Sequence, residues 1–227
     1  MSKLTYEERL TPRDRQMICS IGNHRVLSKD QLIYMYFTDY DTFQYRIREV
    51  LKPAKGNYVS DPFYLDNKEG RKKTVLYRLE TAGKKEYKKL TGKKYYTPRW
   101  SLNYLPHLIE TNWILILLSD VIDDFQLEKR IGMCQIDAYC RIKDKHIALE
   151  IDLSETETKR EIQRQFENYQ KLYTKTDDID LLVFFTNREY KLLEWTREIV
   201  YSDLEVKFVA RTEEKLNKLK KYLSNIK

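Results

Sequence analysis

Ser28 to Leu51, SKDQLIYMYFTDYDTFQYRIREVL, is the stretch on which the reading of the fold turns. Ser28-Lys29-Asp30-Gln31 has the form of a capping box, in which the Ser hydroxyl takes an orphan backbone N–H and the Gln reaches back to another. The helix it opens turns Leu32, Met35 and Tyr36 inward. Thr38 to Tyr40 then make a turn, and Asp41 is placed to cap the next helix. Along Thr42–Leu51 the apolar residues Phe43, Ile47, Val50 and Leu51 recur with helical period on one face. That leaves Thr42, Gln44, Tyr45, Arg46 and Arg48 facing outward.

Upstream, Thr11 is a good N-cap and Pro12 costs nothing at the first helical position, where its missing N–H has no partner to lose. Met17, Ile18 and Ile21 form the inner face of this first helix, and Gly22-Asn23 is expected to end it. Downstream, Pro53 stops the third helix. Tyr58–Leu65 and Thr74–Leu79 alternate as strands around a polar loop carrying Lys68, Arg71, Lys72 and Lys73. A further helix starts at Thr81, with Lys84, Lys85, Lys88 and Lys89 around Tyr87 and Leu90. Three short helices, a basic-tipped hairpin and a basic helix make the order of a winged helix–turn–helix, whose third helix enters a DNA major groove. Gln44 and Arg48 suit adenine and guanine edges, and the loop cations suit phosphates. An ordinary solvated helix face would carry similar residues, so the third-helix position is what favours recognition.

Charge placement agrees with that reading. Residues 1–100 hold 22 Lys/Arg against 12 Asp/Glu, whereas the remainder holds 20 against 23. A basic module joined to a mildly acidic one is expected of a polyanion binder with a second task. Residues near 91–98 read as a linker, dividing the 227 residues into domains at 1–92 and 93–227. Cys19, Cys134 and Cys140 have no metal-like spacing and read as reduced thiols. The most apolar run, Trp113–Leu118, falls far short of the roughly 18 residues a bilayer span needs, so a cytoplasmic protein without a membrane partner is expected.

The second half opens with a helix expected over 101–124, one side carrying Leu105, Leu108, Ile109, Trp113, Ile116 and Leu117. His107 and Asn112 read as hydrogen-bonded structural groups. Strands follow at Gln126–Arg130, Gln135–Ile142 and His146–Leu153, then a helix over 155–173, a strand Leu181–Phe185, a helix over 189–200, a strand Val206–Ala210 and a last helix over 213–226. The fold class is α+β, with a mixed sheet flanked by helices. Asp137 on one strand and Glu150 with Asp152 on the next resemble the restriction-endonuclease-like core, in which acids hold Mg²⁺ and a Lys helps activate water. Asp152 stands where that Lys belongs. Lys159, Arg160, Gln165 and Tyr169 on the following helix are the other candidate catalytic residues. No metal ligand or catalytic group is firm on this pattern.

Taken together, several stretches resemble the replication-relaxation family of plasmids and integrative elements. They are Leu10-Thr11-Pro12-Arg13-Asp14, His24-Arg25-Val26-Leu27, Tyr77-Arg78-Leu79-Glu80-Thr81-Ala82-Gly83-Lys84, Leu105-Pro106-His107-Leu108 with Asn112, Ile136-Asp137-Ala138-Tyr139 and Leu149-Glu150-Ile151-Asp152. The resemblance spans about residues 10–175. It implies a bacterial DNA-binding protein of a mobile element, connected with replication, with a winged helix joined to a degenerate nuclease-like domain. In that family Glu-x-Asp is an ordinary pattern at the third strand.

Three readings stand. A non-catalytic, sequence-specific binder of double-stranded DNA needs no cofactor, and its second domain would serve a homodimer, a replication or transfer partner, or more DNA. A metal-dependent endonuclease would use Asp137, Glu150 and Asp152 with Mg²⁺. A protein-interaction adaptor would use its basic half only for solubility.

Overall fold

The computed structural model describes residues 5–52, 54–65, 73–97, 104–153, 164, 167–169, 171, 178–186, 205–210 and 212–226. The chain divides into two compact units, residues 1–116 and 117–227.

The first unit begins with α1 (Pro12–His24), entered through a capping box. The Thr11 N–H donates to the Asp14 carboxylate at 2.8 Å, and the Asp14 N–H donates back to the Thr11 hydroxyl. A two-residue strand, β1 (Leu27–Ser28), leads into α2 (Lys29–Tyr36), opened by the box expected at Ser28 and Gln31. Helix α3 (Tyr40–Arg46) follows and closes with a π-helical turn at Ile47–Leu51. Its cap is Asp39, not Asp41: the Thr42 N–H donates to Asp39 at 2.7 Å. The helix thus starts two residues earlier than the periodicity suggests.

The hairpin is shorter than expected and belongs to a larger sheet. Strands β2 (Phe63–Leu65) and β3 (Thr74–Tyr77) pair antiparallel, and β1 adds to the other side of β3, giving the order β1-β3-β2. Helix α4 (Thr81–Thr91) ends at Gly92, whose φ of 70° is the left-handed cap glycine accepts. Gly22 has a different use from the helix end read in the sequence, because α1 continues to His24. A Cβ there would come within 2.2 Å of the buried Tyr87 ring, so glycine lets α4 lie against α1. The Tyr87 hydroxyl donates to Asn23, and Arg15 pairs with buried Glu86 across the same contact.

The division expected at residue 92 falls instead at 116. Tyr95, in the supposed linker, is buried and donates its hydroxyl to the Arg25 carbonyl at 2.6 Å. Helix α5 (Tyr104–Leu117), which ends at Leu117 and not near 124 as expected, is tied to the first unit by buried polar side chains. Asn112 donates to the carbonyls of His24 and Val26 and accepts from His24 Nδ1 at 3.0 Å. Gln31 donates to the Ile109 carbonyl at 2.9 Å. The apolar stripe is also wider than expected: Ile114 and Leu115 are buried as well, while Trp113 and Leu117 are only half-buried. Ile116 joins a core built on Met17, Ile18, Leu32, Phe43 and Leu51.

The second unit is a five-stranded mixed sheet, so the α+β class holds. Strands β4 (Asp124–Ile131), β5 (Cys134–Ile142) and β6 (Lys145–Ile151) run antiparallel. Strands β7 (Leu181–Thr186) and β8 (Glu205–Ala210) continue from β6 in parallel, giving the order β4-β5-β6-β7-β8. Every residue of β7, LLVFFT, is buried, the pattern of a parallel strand covered on both faces. Helix α6 (Glu213–Ser224) completes the described elements, capped at Thr212, with the Lys143 ammonium on the Ile226 carbonyl beyond its end. Of the helix expected over 155–173, Arg164, Glu167–Tyr169 and Lys171 are described, all helical. The helix expected over 189–200 lies outside the described residues.

Candidate nucleic-acid interface and acidic strand cluster

Helix α3 turns its apolar face onto the hairpin. Phe43 packs edge-to-face on Tyr77 of β3, with ring centroids 5.8 Å apart, and on Phe37 at 5.3 Å. Burial pushes the Tyr77 phenol up to about 12, and the Tyr40 and Tyr64 phenols add to the shift. Tyr40 opens α3, and Tyr64 on β2 pairs with Val75, two residues from Tyr77 along β3.

The outward face differs in one residue from the sequence reading. Tyr45 is 52% exposed, and the Arg48 side chain is 67% exposed, beside Glu49 at 2.8 Å. Thr42 and Gln44 are half-buried; Gln44 Nε2 donates to the Tyr40 hydroxyl at 2.8 Å. Arg46 is the exception. Its guanidinium turns inward to bond the Asp14 carboxylate and the Arg9 carbonyl. Asp14 is fully buried, and an isolated carboxylate there would be costly, so Arg46 is a counter-charge and not a base-reading group. The sequence pattern missed this because Arg46 flanks the apolar stripe and its partner is 32 residues away.

On the hairpin, Lys73 is exposed; Lys68, Arg71 and Lys72 lie outside the described residues. In α4, Lys89 pairs with Glu7 at 2.7 Å, and the Lys84 ammonium sits 5.6 Å from the Tyr95 ring centroid. Lys85 and Lys88 are exposed.

In the second unit Asp137 lies within β5, and Glu150 and Asp152 lie at and beyond the end of the neighbouring β6. The β5–β6 register stops at Ala138↔Leu149, the step before Asp137 would face Glu150. Beyond it the Asp137 carboxylate accepts the Ile151 N–H at 2.8 Å, taking the place of a backbone acceptor. On the other side of β5, the Glu128–Asp137 step is missing from the β4 ladder, and Glu128 has φ of 52°. Glu150 is buried opposite Phe184 and accepts the hydroxyl of Tyr169, whose ring also meets Phe184. Asp152 lies just past β6. It accepts the Thr186 hydroxyl at 2.9 Å, and its N–H donates to the Phe185 carbonyl. Each acid is therefore engaged by a different donor, and Tyr169 does reach the cluster. Among the described residues no group of three or more His, Cys, Asp or Glu side chains is placed to hold a metal ion. Lys159, Arg160 and Gln165 lie outside the described residues. Thr186 is the member that sequence reading missed, since nothing local marks the last residue of an apolar strand.

Asn112 takes a structural place. It is the clamp described above; of His107, half-buried on the same helix, the backbone carbonyl accepts from Thr111. The thiols Cys134 and Cys140 are buried and Cys19 half-buried; desolvation raises the pKa of all three. No helix among the described residues is long and apolar enough to cross a membrane.

No family model and no curated protein matches the chain. Among solved structures, the crystal structure of protein VC1899 from Vibrio cholerae is similar at 12% identity and a TM-score of 0.32, covering 99% of this chain and 61% of that one. This chain thus spans less than two thirds of that protein.

Proposed function

We propose that this chain is a sequence-specific double-stranded-DNA-binding protein of a bacterial plasmid or other mobile element, acting without catalysis in replication, transfer or transcription control. In this reading the first unit is a winged helix–turn–helix, with α2 and α3 as the helical pair and β2–β3 as the wing. The observation that carries it is the junction at Tyr77. Phe43 packs there from α3, onto a strand that β2 pairs along one edge. A helix face bearing Tyr45 and Arg48 is thereby fixed against a hairpin bearing Lys73. Such a body can seat a helix in a major groove with a strand pair on the adjoining backbone. The positive balance of the first hundred residues supplies phosphate attraction.

The mobile-element assignment rests on the resemblance to the replication-relaxation family. The second unit is read as a restriction-endonuclease-like core kept for docking, with a second copy, a replication or transfer protein, or further DNA as its partner. The hydrogen bonds on Asp137, Glu150 and Asp152 support a structural use of the acids. A cytoplasmic location follows from this role.

Titrating labelled duplex with the full chain at salt between roughly 50 and 200 mM tests the reading, since phosphate-dominated binding weakens steeply over that range. We expect a linear fall of log K with log salt, and weaker binding by the Arg48→Ala, Lys73→Ala double variant. No binding at the lowest salt overturns the proposal in favour of the adaptor. Supercoiled plasmid incubated with the protein and Mg²⁺ should stay intact. Nicking that disappears in both Asp137→Ala and Glu150→Ala would instead identify the metal-dependent endonuclease.

A further inference from the structure

We propose that Tyr40 is a positioning residue for base readout, its hydroxyl fixing the Gln44 amide for a two-point contact with an adenine edge. This deepens, and rests on, the DNA-binding reading above. Tyr40 is the first residue of α3 and Gln44 lies one turn on, so the two share a stripe of the helix. Gln44 Nε2 donates to the Tyr40 hydroxyl at 2.8 Å. The tyrosine is half exposed, yet its ring is held from α2: the Lys29 ammonium lies 5.0 Å from the ring centroid. The hydroxyl that anchors the amide is therefore itself anchored by a second helix.

An unrestrained Gln must fix its side-chain torsions on binding, and that ordering opposes association. An amide already tied gives up less. One amide hydrogen goes to Tyr40, while the other and Oε1 remain, which is the pair that adenine N7 and N6 require. The neighbours are otherwise occupied. The Thr42 hydroxyl donates to Asp39 at 2.9 Å, and Arg46 is turned to Asp14. Gln44 is thus the α3 amide placed for base readout, beside exposed Tyr45, and Tyr40 acts through it.

The test begins by selecting duplexes from a random pool with the wild-type full chain. Affinities are then measured for the best duplex and for each single base-pair replacement, using wild type, Gln44→Ala and Tyr40→Phe. Gln44→Ala should lose preference at one A·T pair, on the order of tenfold. Tyr40→Phe keeps the ring on Lys29 and should lose part of the preference at that same pair, with discrimination elsewhere unchanged. A merely structural role would lower affinity equally at every position. Undiminished discrimination in Tyr40→Phe, or an even loss across the site, overturns the proposal and leaves DNA binding standing. If the wild type selects no duplex, both fall together.

Discussion

Arg46 and His24 show how far a residue's role depends on what is buried beside it. Arg46 looks like a groove-reading cation, yet the fully buried Asp14 draws it inward. Removing one member of a buried pair costs roughly 3–5 kcal/mol, because the other charge stays behind without its partner. Asp14 keeps its bonds from Thr11, so Arg46→Ala should cost about 3 kcal/mol by denaturant melting, the low end of that range. Arg46→Ala, Asp14→Asn together should recover part of the loss, whereas a wild-type melting curve in the single variant would refute the counter-charge role. His24 is held neutral by burial, its pKa lowered to about 4 despite the Asn112 bond. The unfolded chain then binds the proton more readily, so stability is full above about pH 6.5 and declines as pH falls toward 4. The accumulated loss is about 3 kcal/mol. His24→Gln should flatten that acid limb in chemical denaturation; an unchanged limb would place its origin in other groups.

At the scale of elements, α5 is the instructive case. Its sequence declares an amphipathic helix, and helix it is, but the pattern of Leu and Ile does not say which core it joins. That is decided by Gln31 and Asn112, which reach backbone carbonyls 78 and 86 positions away. Buried polar groups left without partners are costly, so a fragment ending at Gly92 should unfold with low cooperativity or aggregate. A fragment ending at Leu118 should give a single two-state transition. Equal cooperativity in the two fragments, by circular dichroism against urea, would show that α5 is dispensable. The caps at Thr11 and Ser28 were legible because capping is a three-residue matter. The cap at Asp39 was not, because Asp39 and Asp41 are equally good oxygen acceptors and only the backbone path chooses between them.

At the scale of the whole molecule, the two units differ in what they offer. The first concentrates positive charge and exposed tyrosines, so its expected DNA affinity is a long-range property that salt should screen. The second offers an all-buried interior strand and acids turned to protein donors, so a structural use of the acids is expected. The salt slope belongs to this scale: it should be set by charges spread over the first hundred residues and change only modestly with any one of them. The base preference belongs to α3 alone. Observing the two in separate variants would separate attraction from recognition.

Periodicity, caps and charge run along the chain, and they determined the α+β class, the five strands of the second sheet to within two residues at their ends, and the candidate reading helix. These are set by neighbours a few positions apart, whose geometry the peptide backbone fixes. Contacts between distant residues decided the remainder: the place where the units divide, the third strand beside the hairpin, the inward turn of Arg46 and the separate donors that hold Asp137, Glu150 and Asp152. A buried carboxylate or amide takes whichever partner the packed core brings within reach, and that partner has no fixed spacing along the sequence.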